Sequence, residues 1–316
     1  MSAVNETVRP GVIDAVPVRH PWRWVALALM AIVVAMMLSS FITNKRWDWG
    51  FALTIMNQNP VLEGLWKGTI IGTIGAMIIG VGLGILVAIM RLSENPVLRW
   101  ASFAYTWFFR AIPRYVLLAI IGTGVGYLYP TLRIGVPFGQ QFASALGLSS
   151  DLTFLGLDVN ALSNGIIGGI IGLGLSEAAY MAEIARAGIL SVDKGQAEAA
   201  QALGMSGGKT LRRIVLPQAM RVIVPPTGNE TIAMVKDTSL LVAIPIIVEL
   251  FYQTQQIGNN AFKIMPAFVA ATAWYLIICS ILMVGQYYLE RHFGRGFGEK
   301  KPKNKRFARG PGMGGA

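Results

Sequence analysis

Six apolar runs separated by polar segments set the rhythm of the chain: Trp24 to Ile42, Leu65 to Met90, Ala101 to Tyr129, Ala161 to Ala182, the stretch after Pro217 to Val235, and Pro266 to Leu289. The first holds nineteen residues, which at about 1.5 Å each reach roughly 28 Å, close to the thickness of a bilayer core. A secretory signal is the rival reading of that run. It is long for a signal core and no small-x-small cleavage site follows it, so it reads as a retained helix. The third run is interrupted by Pro113. Six membrane-spanning helices follow from this pattern: an all-α integral membrane protein with both ends on one side.

Composition agrees with the pattern. Apolar types make up 54% of the chain and charged types 14%, against about 25% charged in soluble domains. This excludes a disordered chain, a coiled coil and a typical cytosolic enzyme. Cys279 is the single cysteine, and the two histidines, His20 and His292, lie in polar end segments. A disulfide framework and a metal site are therefore not expected. Of the 27 Lys and Arg residues, 18 fall on the side that holds the termini and six on the other; Arg110, Arg114 and Arg221 fall within spans. The positive-inside rule then places both termini in the cytosol.

Trp47, Trp49 and Phe51 mark an interfacial stretch between the first two spans. The pairs Gly68/Gly72, Gly80/Gly84 and Gly165/Gly169 are small-x-x-x-small spacings that let helices pack closely. The polar ends read as disordered tails. The basic stretch Lys300 to Arg309 serves as a solvated topology determinant, with contact to anionic lipid as the other reading.

The cytosolic segment Ser191 to Pro217 is too polar to span and too ordered in pattern to be a spacer. Residues 194–203 are mostly strong helix formers. Asp193 suits the N-cap, with Gln196 three residues on, and Gly204 suits the position just past the C-terminus. Ser206 starts a second short helix, and Pro217 fits the first turn of the next span. The result is a helix–turn–helix with a small face of Ala197, Ala199, Ala200 and Ala202. Gly204 to Thr210 imitates a phosphate-binding loop, but Leu203 stands where the first glycine is required and a helix precedes it. No nucleotide site is expected.

Glu198-Ala199-Ala200, three residues, Gly204, nine residues, then Ile214-x-Leu216-Pro217 matches the EAA motif of ABC importer permeases. Ala179 to Gly188, Leu216 to Ala219, Gly228-Asn229, Lys236 to Leu240 and Glu249-Leu250 resemble the polar amino-acid branch of that family. The likeness spans residues 65–289. It implies a type I ABC importer permease core of five helices, with the first span as an addition. It assigns 1–22 to a cytosolic tail, 23–43 to the extra helix, 47–60 to the interfacial segment, 61–290 to the permease domain with its coupling loop at 191–217, and 291–316 to a basic cytosolic tail. The resemblance further implies a multi-pass protein of the bacterial plasma (inner) membrane, embedded in the lipid bilayer. Its partners would be two ATP-binding subunits, a second permease (homologous or identical), and an extracytoplasmic amino-acid-binding protein. ATP and Mg would be used by the partner ATPase; no cofactor in this chain, no catalysis by it and no nucleic-acid partner are expected. The ATPase-coupling residues would be Glu198, Ala199, Ala200, Gly204, Ile214, Leu216 and Pro217.

The chain departs from the family where Phe-Arg-Gly-Thr-Pro is usual: it has Phe109-Arg110-Ala111-Ile112-Pro113, followed by Arg114. Glu230 stands after Gly-Asn where an amide is common, and the loop Pro130 to Asn160 is long. These departures bear on substrate choice.

An ionisable group at mid-bilayer costs about 2.5–3.5 kcal/mol on insertion scales and usually faces a partner or a polar pathway. Glu177, Glu183, Glu230, Arg114 and Asn229 are the candidates for a substrate passage, with internal ion pairing as the other reading of the charges. Pro225, Pro226 and Gly228 are expected to loosen the fifth span and free carbonyls there. The competing function is an ATP-independent secondary amino-acid transporter or channel. No convincing internal repeat supports it, and no cluster of catalytic spacing supports a membrane enzyme.

Overall fold

The structure is a computed structural model that describes residues 21–147, 153–163, 165–244 and 248–294. Most of the expected polar tails therefore lies outside the described residues. Contacts divide the chain into two compact units, Met1–Asp48 and Trp49–Ala316. In the first, helix α1 (Pro21–Thr43) is apolar all round and buries no residue, as suits a helix whose solvent is lipid. Asn44 then caps a 3-10 turn, Lys45–Trp47, by accepting from the Arg46 amide. The Trp47 ring lies 4.5 Å from that of Phe41.

The second unit opens with α2 (Trp49–Met56) and α3 (Asn59–Leu92). The segment read as interfacial is thus helical and carries part of the core. Its Ile55 is fully buried against Val61, Leu250 and Ala267, and Trp274 Nε1 donates to the Met56 carbonyl at 3.1 Å. Helices α4 (Pro96–Ala111) and α5 (Arg114–Leu128) follow, bent by 102° at their junction. The sequence predicts one interrupted span here. Pro113 lacks an amide and holds Ile112 in extended backbone (φ −78°, ψ 132°), so the helix ends on the bond from Ile112 N to Phe108 O and restarts in a new direction.

The long loop contains β1 (Thr131–Gly135), α6 (Gly139–Ala145) and β2 (Thr153–Asp158). The strands pair antiparallel, Thr131 opposite Asp158. This hairpin is an exception to the expected all-α fold, and short strands with mixed polarity gave little signal for it. Next come α7 (Val159–Ser163), α8 (Gly165–Leu190) and α9 (Lys194–Ala202). Helix α10 (207–237) joins Gly207–Thr210, a π turn at Leu211–Val215 and Leu216–Asp237 without a break. A 3-10 turn, Thr238–Ala243, leads on to α11 (Leu250–Asn260) and α12 (Ile264–Phe293).

Among the described residues, four helices are long and apolar enough to cross a membrane: α1, α3, α8 and α12. The bent pair α4–α5 makes five if it counts as one span. The sequence predicts six. The sixth, α10, is long enough but too polar to qualify, since it carries Arg221, Glu230, Lys236 and Asp237.

The α3–α8 pair forms the spine of this unit. A Cβ on Gly80 would come 2.6 Å from Glu177 Cγ, and one on Gly84 2.6 Å from Met181 Cβ. Both positions therefore require the absence of a side chain, as the small-residue spacing predicts. Gly165 differs: nothing lies near it, and its φ of +76° makes it a left-handed start to α8 rather than a packing contact. Ala76, Met77, Leu118, Leu173, Met234, Leu241 and Ile244 form the central cluster, gathering α3, α5, α8, α10 and the 3-10 turn. Glu249 locks α11 in place. It is fully buried and accepts from the Phe251 and Tyr252 amides, from Thr69 Oγ1 at 3.0 Å and from the Tyr275 hydroxyl at 2.6 Å.

Candidate functional site

The break at Pro113 places Arg114 on the first turn of α5, facing α8. Arg114 Nη2 lies 3.0 Å from Glu177 Oε2, and Nη1 bonds Asp237 Oδ2 at the end of α10. Helices α5, α8 and α10 are thereby joined through one guanidinium. The Glu177 side chain is fully buried and that of Arg114 only 14% exposed. The Tyr180 ring, one turn further along α8, lies under both arginines, 4.8 Å from Arg114 and 5.5 Å from Arg110.

Two features of this cluster distinguish it from an isolated one-to-one ion pair. One guanidinium faces two carboxylates, Glu177 and Asp237. Glu177 Oε1 and the neighbouring Ser176 Oγ are also buried without a hydrogen-bond partner. A buried polar atom left unsatisfied costs about 1–3 kcal/mol. Glu177 Oε1 is thus an acceptor left open beside the Arg114 guanidinium.

The sequence-predicted residues are distributed unevenly around this point. Arg114 and Glu177 are brought together, and Glu230 sits half-buried nearby. Glu183 lies elsewhere: it pairs with Arg186 at 2.8 Å and lines a cavity of about 390 Å³ with Arg110, Thr106 and Tyr180. Asn229 is exposed and outside the cluster. Helix α10 runs through Pro225 and Pro226 without a break, although neither proline can donate to the carbonyl four residues before it. Gln286 of α12 donates to the Pro225 carbonyl at 2.8 Å, and it fits only because Gly228 has no side chain: a Cβ there would stand 1.8 Å from Gln286 Oε1. Asp237 and Tyr180 are the site residues that sequence reasoning missed. Asp237 is 123 residues from Arg114, so no local spacing joins them; its one signal was its place in the Lys236 to Leu240 stretch.

The second candidate region is the loop that follows the C-terminal end of α8. Asp193 caps α9 by accepting from the Gly195 amide at 2.8 Å. At the far end, Met205 N donates to Ala200 O and Gly204 N to Gln201 O, with Gly204 at φ +76°. This paired closure needs a left-handed residue. Ala200 is buried against the body, while Glu198, Ala199 and Gly204 are exposed. Leu203 at the tip is 84% exposed, a large apolar side chain presented to the outside. Ile214 is half-buried on the π turn, and Leu216 and Pro217 are exposed just beyond it. Pro217 lies in the first turn of the α-helical part Leu216–Asp237, as expected, but the π turn Leu211–Val215 leads into it without a break. At the end of that π turn Leu216 N reaches back to Leu211 O.

The fold and these two regions define a multi-pass membrane permease. Residues 80–295 match the family of binding-protein-dependent transport system inner membrane components, and the chain belongs to it. The arginine transport system permease protein ArgU of Corynebacterium glutamicum is 43% identical over 302 residues, covering 94% of this chain and 89% of that protein. The L-cystine transport system permease protein TcyB of Bacillus subtilis is 36% identical, covering 75% and 88%. Among solved structures, an amino acid ABC transporter with histidines superimposes with a TM-score of 0.58 at 26% identity, over 74% of this chain and 94% of that one. A bacterial alginate ABC transporter shares the fold, with a TM-score of 0.53 at 14% identity over 87% and 98%. The chain is thus a permease subunit of an ABC transport system.

Proposed function

We propose that this permease carries polar α-amino acids inward across the bacterial plasma membrane. The passage would run past Arg114, Glu177 and Asp237, with Glu230 and, further along, Glu183 and Asn229 on its route. The observation that carries this reading is the buried cluster in which one guanidinium is shared by two carboxylates and Glu177 Oε1 is left without a partner, an acceptor suited to an ammonium or guanidinium group. Relatives named for arginine, cystine and glutamine transport support the same substrate class.

In this reading all six helical segments span, α10 included, because its charges face the passage or protein partners rather than lipid. Both termini are cytosolic, residues 61–290 form the permease domain, and 191–217 the coupling loop. Two ATP-binding subunits, a second permease copy or homologue and an extracytoplasmic binding protein complete the machine. ATP and Mg belong to the ATPase, and this chain binds no cofactor. Glu198, Ala199, Ala200, Gly204, Ile214, Leu216 and Pro217 form the contact that transmits ATPase motion.

Reconstitution with those partners in liposomes tests the function directly. ATP-dependent uptake of labelled arginine, competed by other polar amino acids, is the expected result. Failure of the loaded assembly to move any of them while it still hydrolyses ATP would overturn the substrate class. Single cysteines at positions 5, 155 and 305 test the topology: only the one at 155 should react with an impermeant reagent from outside.

A further inference from the structure

A second cavity, of about 500 Å³, is lined by Arg91, Leu92, Arg99, Trp100, Phe103 and Arg186, and shares Arg91 and Phe103 with the cavity that Glu183 lines. We propose that it binds the phosphate headgroup of an anionic membrane lipid. The three arginines come from three helices, α3, α4 and α8, so the site exists only in the folded chain. Arg186 is paired with Glu183. Arg91 and Arg99 have no carboxylate partner among the described residues, and Arg91 is held over the Phe103 ring at 4.7 Å. Two guanidiniums without counter-charge beside a cavity call for an anion, and guanidinium binds phosphate through paired hydrogen bonds.

The position selects a lipid over a free ion. Arg91 is the penultimate residue of α3, Arg186 lies in the last two turns of α8, and Arg99 sits in the first turn of α4. The cavity is therefore at the level where apolar helices leave the hydrocarbon, which is where headgroups lie. From it an exposed apolar stripe runs along α4: Trp100 is 70% exposed, Phe103 43% and Trp107 64%. Their three- and four-residue spacing places them on one helix face. A phosphate ion needs no such stripe, whereas acyl chains attached to a bound phosphate would lie along it.

Native mass spectrometry of the full chain in neutral detergent tests the site, with phosphatidylglycerol and phosphatidylcholine supplied in equal amounts. The wild-type chain should retain phosphatidylglycerol in preference. A juxtamembrane basic residue contributes about fivefold in affinity for anionic lipid, so Arg99→Gln should lower retention by about that factor. Arg91→Gln with Arg99→Gln should erase the preference, and Arg99→Lys should keep part of it. Arg99 is exposed and unpaired, so its variants test binding without threatening the fold. Equal phosphatidylglycerol retention by wild type and Arg99→Gln would overturn the proposal. So would displacement of the lipid from the wild type by inorganic phosphate in millimolar excess, which would make the cavity an ion site. Loss of ATP-binding-subunit capture in Arg99→Gln with lipid occupancy unchanged would make it a subunit contact and would equally overturn it.

Discussion

The Arg114 cluster, halfway along α8, and the Gly204 loop, beyond its C-terminal end, are built by opposite means. The cluster is assembled from residues 63 and 123 positions apart in the chain, is buried, and keeps polar atoms unsatisfied. The loop is assembled from consecutive residues, is exposed, and satisfies its backbone completely at the turn after α9. A place where a solute binds and leaves must hold charge without a permanent partner. A place that transmits force must hold its shape when nothing is bound. The same helix supports both, because its glycines and alanines let it pack tightly against α3 between them.

Removing Arg114 should break the contrast most severely. Arg114→Ala leaves Glu177 buried beside Asp237 with no cation, and an orphaned buried charge costs about 3–5 kcal/mol. The melting temperature of the purified protein should fall sharply. Adding Glu177→Gln should recover part of the loss, since it removes one of the two stranded charges. An unchanged melting temperature in Arg114→Ala would mean that solvent reaches the cluster freely.

Glu177→Gln alone separates substrate binding from stability. It keeps the shape of the side chain and removes the charge that a cationic group would meet. Losing a charge-assisted hydrogen bond weakens binding by about 1.5–3 kcal/mol, so uptake should fall by roughly ten- to a hundredfold. ATP hydrolysis stimulated by the binding protein should persist. Unchanged uptake kinetics would make Glu177 a structural anchor for Arg114 only.

Gly204→Val addresses the loop beyond α8. At φ +76° a β-branched residue pays about 1–3 kcal/mol in local strain. The turn should reopen, the protein should still insert, and ATP-driven uptake should fall by at least tenfold. Gly204→Asn tolerates the left-handed region better and should retain more activity. If valine and asparagine behave alike, the turn geometry is not what the ATPase reads.

The two regions also differ in how far the sequence reveals them. The loop was legible because each of its determinants is local: Asp193 one residue before a run of helix formers, Gly204 just after it, and a motif of fixed spacing. Helices α1, α3, α8 and α12 were legible for the same reason, as runs of apolar residues. The cluster was half legible. Arg114 and Glu177 stand out as charges in apolar runs, but Asp237 joins them only through tertiary contact, and Glu183 is diverted to Arg186 by a neighbour three residues away. Breaks and continuities were the least legible. Pro113 turns the chain by 102°, whereas α10 runs on through Pro217, Pro225 and Pro226. A proline announces a missing amide; whether the helix ends there depends on what packs against it.

The smallest effect should come from Leu203, which sharpens the reading of the loop as a docking surface. Its side chain is 84% exposed, so truncation removes no internal packing, and Leu203→Ala should leave the melting temperature of the isolated chain where it is. Large apolar side chains held in water on a rigid turn gain from being covered: full burial of a leucine is worth about 1.5–3 kcal/mol, of which alanine keeps a part. In the assembled complex the variant should therefore weaken capture of the ATP-binding subunit by about tenfold, with Glu198→Ala adding to the loss if both face the same partner. Leu203→Ala with wild-type assembly and a wild-type ratio of ATP hydrolysed to solute moved would shift the contact to the alanine face of α9, and the exposed leucine would then be a side chain that docking leaves uncovered.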